Sequence, residues 1–167
     1  MKKVVLFAGM PAVGKSSIAN HLSWKLGLAV FSSNILRSEV HQDTHDRELD
    51  IEEFNRRRDA RFKELVESGQ DFILDASIDR TWPEMKPKLE DAGYEFFIIS
   101  FDLSDESTDK LVSTYPVSWG KPPKEYRADH QNFLNDFAND VKLTITDENY
   151  STRLDDALNS VKTWLEK

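Results

Sequence analysis

An α/β fold, with five parallel strands and helices on both faces of the sheet, is what this sequence predicts. Three observations carry the prediction. Short apolar runs alternate with helical stretches along the whole chain. The runs are nearly continuous in apolar residues rather than alternating, as befits strands buried on both faces. The 167 residues hold no cysteine, internal repeat or low-complexity linker, so residues 1–167 are expected to form one domain around one core.

The elements come in a regular order. KKVVLFAG (2–9) is the first strand, and KSSIANHLSWKLG (15–27) is the helix after it. In that helix Ile18, Leu22 and Leu26 recur every fourth residue, and Gly27 stands just past the end. LAVFS (28–32) is a second strand, and SNILRSEV opens a helix with Ser33 or Asn34 as its cap. The long helix at 51–69 carries a stripe of Phe54, Phe62, Leu65 and Val66 and ends at Gly69. DFILDAS (71–77) is a strand ending around Asp75, and the helix at 81–93 is expected to be irregular at its two prolines. YEFFIISFDL (94–103) is the fourth strand, followed by a short helix at 104–114 and a proline- and glycine-containing excursion at 115–123. A helix at 124–139, a fifth strand at 141–147 and a closing helix at 152–167 complete the pattern. In such sheets ligands sit beyond the carboxyl ends of the strands. Residues 9–16, the segment after 32 and the segment after Asp75 all emerge at that edge.

GMPAVGKSS (9–17) fits the pattern G-x-x-x-x-G-K-[ST] between a strand and a helix, the context that marks a phosphate-binding loop. Gly9 and Gly14 let the backbone of Met10, Pro11, Ala12 and Val13 curl so that N–H groups face phosphate oxygens. Lys15 is placed to reach the β- and γ-phosphates. The hydroxyl of Ser16 is placed on Mg²⁺, and Ser17 continues the helix, whose positive end faces the same anion. The fold class is thus a P-loop NTPase, with ATP and Mg²⁺ as expected ligands. Asp75, at a strand end, is the candidate carboxylate for the metal alongside Ser16.

These pieces resemble the small P-loop kinases grouped with polynucleotide 5′-kinase, zeta toxin, chloramphenicol phosphotransferase and gluconate kinase, which carry an AAA-type ATP-binding domain. Three motifs carry the resemblance: GMPAVGKS for G-x-P-x-x-G-K-[ST], SSNILR at the place of D-x-x-R, and GQDFILDAS for the segment ending in D-A-[ST]. The resemblance implies that Arg37 holds the acceptor. It also implies a general base at the position that Asn34 occupies here, and an amide takes no proton at neutral pH. Asp75, Asp43, Asp46 or a water are the alternatives for that role. A lid over the ATP phosphates is implied at about 115–127. Lys110, Lys121, Lys124 and Arg127 are its available cations, Arg127 foremost, and Tyr115 and Trp119 are its aromatics.

The balance of 30 acidic against 22 basic side chains gives a net charge of −8, which argues against a phosphate-backbone partner. The densest basic cluster, RRRDAR at 56–61, lies inside a helical pattern and reads as a solvated helix face. No apolar run approaches the roughly 20 residues that cross a bilayer, and a cytoplasmic location is expected. The sequence therefore favours an ATP-dependent phosphotransferase acting on a hydroxyl-bearing small molecule, nucleoside or nucleotide. A nucleotide-binding pseudokinase, on account of Asn34, and a polynucleotide 5′-hydroxyl kinase are its alternatives.

Overall fold

A computed structural model describes residues 2–45, 48–114 and 123–167. Five strands, β1 (Lys2–Ala8), β2 (Ala29–Ser32), β3 (Phe72–Ser77), β4 (Tyr94–Phe101) and β5 (Val141–Ile145), form one sheet in the order β2-β3-β1-β4-β5. Every pairing is parallel, so all five carboxyl ends share one edge. The connections are α1 (Lys15–Leu26), α2 (Ser33–Thr44), α3 (Ile51–Ser68), α4 (Trp82–Asp91), α5 (Asp105–Ser113) and α6 (Pro123–Phe137), and α7 (Arg153–Leu165) closes the chain.

Strand alternation divides the core between the two faces. On β1, Val5 and Phe7 pack with Ile18, Ala19 and Leu22 of α1 and with Ala157 and Val161 of α7. Val4, Leu6 and Ala8 face the other way, onto Trp82 and Leu89 of α4 and Phe133 of α6. A smaller cluster of Leu36, Val40 and Phe54 joins α2 to α3 beside Phe31. The expected α3 stripe is thereby split: Phe54 belongs to this cluster, whereas Phe62, Leu65 and Val66 pack on the sheet.

Two local expectations are corrected. The residue capping α2 is Ser32, not Ser33 or Asn34, and its hydroxyl makes no capping bond because it is used elsewhere. Helix α4 runs unbroken through its prolines: Pro83 sits in the first turn, where no intrahelical donor is needed, and Pro87 is accommodated inside the helix.

Two features of the sheet position the groups at its carboxyl edge. Ser32 and Asp75 are register partners at the ends of β2 and β3. Between Val5 and Phe7 the β1–β3 register shifts, Val5 pairing with Ile73 but Phe7 with Ser77, and Asp75 lies within that irregular stretch. Because Leu22 is fully buried beneath α1, Leu22→Ala should lower unfolding stability by about 2–5 kcal/mol, measured by urea denaturation.

Candidate functional site

The segment between β1 and α1 is a backbone loop that demands glycine at both ends. Gly9 has φ 131°, and a Cβ there would lie 3.0 Å from the Cβ of Phe101. Gly14 has φ 105°, and a Cβ there would meet the Tyr150 hydroxyl at 3.2 Å. Between them Ala12 holds φ 63°, a left-handed conformation that costs a non-glycine residue roughly 1 kcal/mol or more. Helix α1 then starts at Lys15 with no side-chain cap and no acidic residue in its first turn. Its positive end is left for an anion.

Inside the loop the Lys15 ammonium donates to the carbonyls of Gly9, at 2.9 Å, and of Met10. Burial pushes its pKa down from 10.5 to about 8, against the opposing pull of the Asp79 and Asp75 carboxylates. Asp75 is buried and fully engaged. Its Oδ1 accepts from Ser16 Oγ at 2.9 Å and its Oδ2 from Ser32 Oγ at 3.0 Å, while its backbone carbonyl accepts from Ser33 Oγ at 3.3 Å. The Asp75 carboxylate thus ties the loop helix to the edge strand, and its backbone carbonyl ties in the start of α2. An adjacent carboxylate and hydroxyl are an oxygen-only donor set of the kind Mg²⁺ takes beside phosphates. Ser16 and Asp75 therefore fit the metal, and Lys15 with the loop backbone fits a triphosphate.

The remaining candidates lie at varying distance from this centre. Asn34 and Arg37 are exposed on the first turns of α2, and the Arg37 guanidinium lies 5.4 Å from the centroid of the Phe54 ring. Asp43, near the other end of α2, is ion-paired with Arg57. Arg127 is held on α5, at 3.0 Å from Asp105 and also against Asp109, and none of its contacts is with the loop. Asp46, Tyr115, Trp119, Lys121 and most of the expected lid lie outside the described residues.

A family model described as an AAA domain matches residues 4–111, well over half of the sequence. The chain belongs to this family. No curated protein matches it. The chain is similar in structure to a gluconokinase from Sinorhizobium meliloti, with TM-score 0.64 at 12% identity over 99% of this chain and 93% of that one. It is also similar to the Mycobacterium tuberculosis APS kinase CysC in complex with AMPPNP and APS, with TM-score 0.56 at 19% identity over 96% and 98% of the two chains. Shikimate kinase from Aquifex aeolicus aligns with TM-score 0.56 at 14% identity over 98% and 96%. At these identities the likeness shows the fold, which is that of the P-loop kinases.

Several residues around this site escape sequence reasoning. Asp79 accepts from the Gly9 N–H, at 3.1 and 3.2 Å through its two oxygens, and meets His130 Nδ1 of α6 at 3.2 Å. His130 Nε2 in turn lies 3.5 Å from Ser100 Oγ at the end of β4. Tyr150 donates to the Val13 carbonyl at 3.1 Å, and the Arg153 guanidinium stacks 4.2 Å from its ring centroid. Asp79 carries a faint signal, an acidic residue four positions beyond Asp75 at the same strand end. Tyr150 and Arg153 carry none, since only the folded chain brings Tyr150 to residue 13 and Arg153 onto its ring.

Lys15 with a pKa near 8 gives a pH-dependent expectation. Between about pH 8 and 10.5 the folded protein binds fewer protons at Lys15 than the unfolded chain, so folding stability should rise with pH across that window. A phosphate beside the ammonium should raise the pKa again. Nucleotide binding at about pH 8.5, just above the folded pKa, should then take up a proton. Calorimetry in buffers of differing ionisation enthalpy would show the uptake, and Lys15→Met should abolish it.

Proposed function

We propose that this AAA domain is an ATP-dependent phosphotransferase that moves the γ-phosphate to a hydroxyl of a small acceptor. The observation that supports this reading most is the convergence of the Lys15 ammonium, the Gly9–Gly14 loop and the Ser16–Asp75 pair at the carboxyl edge of the sheet. Ser16 and Asp75 would hold Mg²⁺, which when bound neutralises charge on the β- and γ-phosphates. In the transfer the acceptor oxygen forms a bond to the γ-phosphorus while the bond from that phosphorus to the β–γ bridging oxygen breaks. ADP leaves, and the acceptor's proton passes to a base. The transition state is loose, so positioning and charge account for most of the rate.

In this reading Lys15 follows the γ-phosphate charge, giving up its two carbonyl partners for phosphate oxygens. Asn34 orients the acceptor hydroxyl by its amide, and Arg37 holds the acceptor body from the same face of α2. The acidic balance of the chain is the reason to favour a small acceptor over a polynucleotide end.

Lys15→Ala should abolish tight Mg·ATP binding, and with it turnover against hydroxyl acceptors, while leaving the thermal transition in place. Unchanged ATP affinity by calorimetry would defeat the assignment. Two further variants separate an active kinase from a retired one. Asp75→Asn should reduce turnover at least about 100-fold, because it disturbs both the metal site and the Ser16–Ser32 tie. Asn34→Asp should change turnover only a few-fold, well below the roughly 10²–10⁴ of a general base. Activity that appears only on Asn34→Asp would show that the wild-type protein binds nucleotide without transferring phosphate.

A further inference from the structure

Strand β1 stays tied to the chain of β3 beyond the end of β3, and a side chain makes the last tie. The Ile78 N–H donates to the Phe7 carbonyl at 3.0 Å. Two residues on, at the first residue of the phosphate loop, the Gly9 N–H donates to the Asp79 carboxylate, 3.1 and 3.2 Å from its two oxygens. The carbonyl of the same glycine accepts from the Lys15 ammonium at 2.9 Å. Gly9 is therefore held twice, once by a cation that a phosphate would draw away and once by a carboxylate that a phosphate would not.

Asp79 is itself held from α6. Its side chain and that of His130 are 6% and 9% exposed. An ionised carboxylate only accepts, so His130 Nδ1 carries the proton and donates to Asp79 Oδ1 at 3.2 Å. His130 Nε2 faces the hydroxyl of the fully buried Ser100 at 3.5 Å. The imidazole lies parallel to the Phe133 ring, with 12° between planes and centroids 6.3 Å apart. Next to this pair, Arg80 meets Asp129 at 3.5 Å, a second tie between the same two segments. The seat of α6 thus orients His130, His130 orients the carboxylate, and the carboxylate holds the loop. A carboxylate is costly to bury beside an anion site, and by charge alone it would repel a polyphosphate. What Asp79 contributes there is its hydrogen bonds.

We propose that Asp79 and His130 are a positioning pair that keeps the phosphate loop in the shape that takes a nucleoside triphosphate. When Lys15 leaves the Gly9 carbonyl for phosphate oxygens, the bond from the Gly9 N–H to Asp79 keeps the start of the loop in place. The pair touches neither acceptor nor phosphate. It rests on the nucleotide-binding half of the reading above and not on phosphate transfer.

The first arm of the test compares affinity with stability. An asparagine at 130 sets its amide nitrogen where His130 has Nδ1, whereas alanine offers no donor. His130→Ala and His130→Asn should both lower the thermal transition, since both lose the ring beside Phe133. Affinity for Mg·AMPPNP by calorimetry should part them: His130→Ala about fivefold weaker or more, His130→Asn within about twofold of wild type. Asp79→Ala should bind about tenfold more weakly or worse, although it removes a negative charge. Equal affinity in the two His130 variants would overturn the proposal, because the ring and not its Nδ1 proton would then matter. Tighter binding by Asp79→Ala would overturn it too, because Asp79 would then act by charge alone.

The second arm needs no nucleotide. Hydrogen exchange of the Gly9 amide, followed by NMR in the unliganded protein, should be at least about tenfold faster in Asp79→Ala than in wild type. It should also be faster in His130→Ala and near the wild-type rate in His130→Asn. Unchanged exchange in Asp79→Ala would overturn the proposal. The expected exchange pattern in a wild-type protein that binds no Mg·AMPPNP would uphold the hold on the loop and defeat the phosphotransferase reading instead.

Discussion

The Asp75 carboxylate is the constraint on which the site depends. Each of its oxygens is taken by a serine from a different element, Ser16 from the loop helix and Ser32 from the edge strand. A buried carboxylate needs such donors, since desolvating it without them would cost several kcal/mol. The sheet supplies them by register: Ser32 stands beside Asp75 because β2 runs parallel to β3 with those residues as partners. The irregular β1–β3 pairing around the same residue frees its side chain to meet Ser16. The fold and the chemistry thus share one hydrogen-bonded centre.

Much of this was legible in the sequence because it is local. The phosphate loop is a contiguous motif, and its flanking strand and helix follow from apolar patterning within a few residues of it. The number and parallel direction of the strands follow from the alternation of apolar runs with helices. Asp75 was legible because a strand end is a position that pattern alone can fix. What escaped was non-local. The pairing of Asp79 with the Gly9 N–H and the seat of Tyr150 on Val13 join residues that no spacing rule connects. The capping residue of α2 was misplaced for a similar reason. A serine ahead of a helix ordinarily spends its hydroxyl on the helix, but here a distant carboxylate competes for it and wins.

The distribution of charge bears on how an acidic protein would take the anions of the proposed function. Some of its basic side chains are neutralised in place, as Arg57 is by Glu53 and Asp43 and Arg127 is by Asp105 and Asp109. Among the described residues, positive groups beside the loop that meet no carboxylate in an ion pair include the open end of α1, Lys15 and Arg153. Concentrated charge of this kind discriminates by geometry, whereas a broad basic surface attracts any polyanion.

The hydrogen bond from Tyr150 to Val13 bears on how the protein is made. The two residues are 137 positions apart, so the phosphate loop leaves the ribosome long before the tyrosine that buttresses it and the arginine stacked on that tyrosine. At about 5–20 residues per second the loop waits on the order of ten seconds for this support. During that interval β1, which pairs on both sides in the finished sheet, has neither neighbour at first and gains β4 only after β3. The nascent chain therefore carries an apolar, unpaired strand joined to an unsupported anion loop while the later strands are being translated. The order in which the ribosome delivers the strands leaves the contact of Tyr150 with the loop until after β5 has been made.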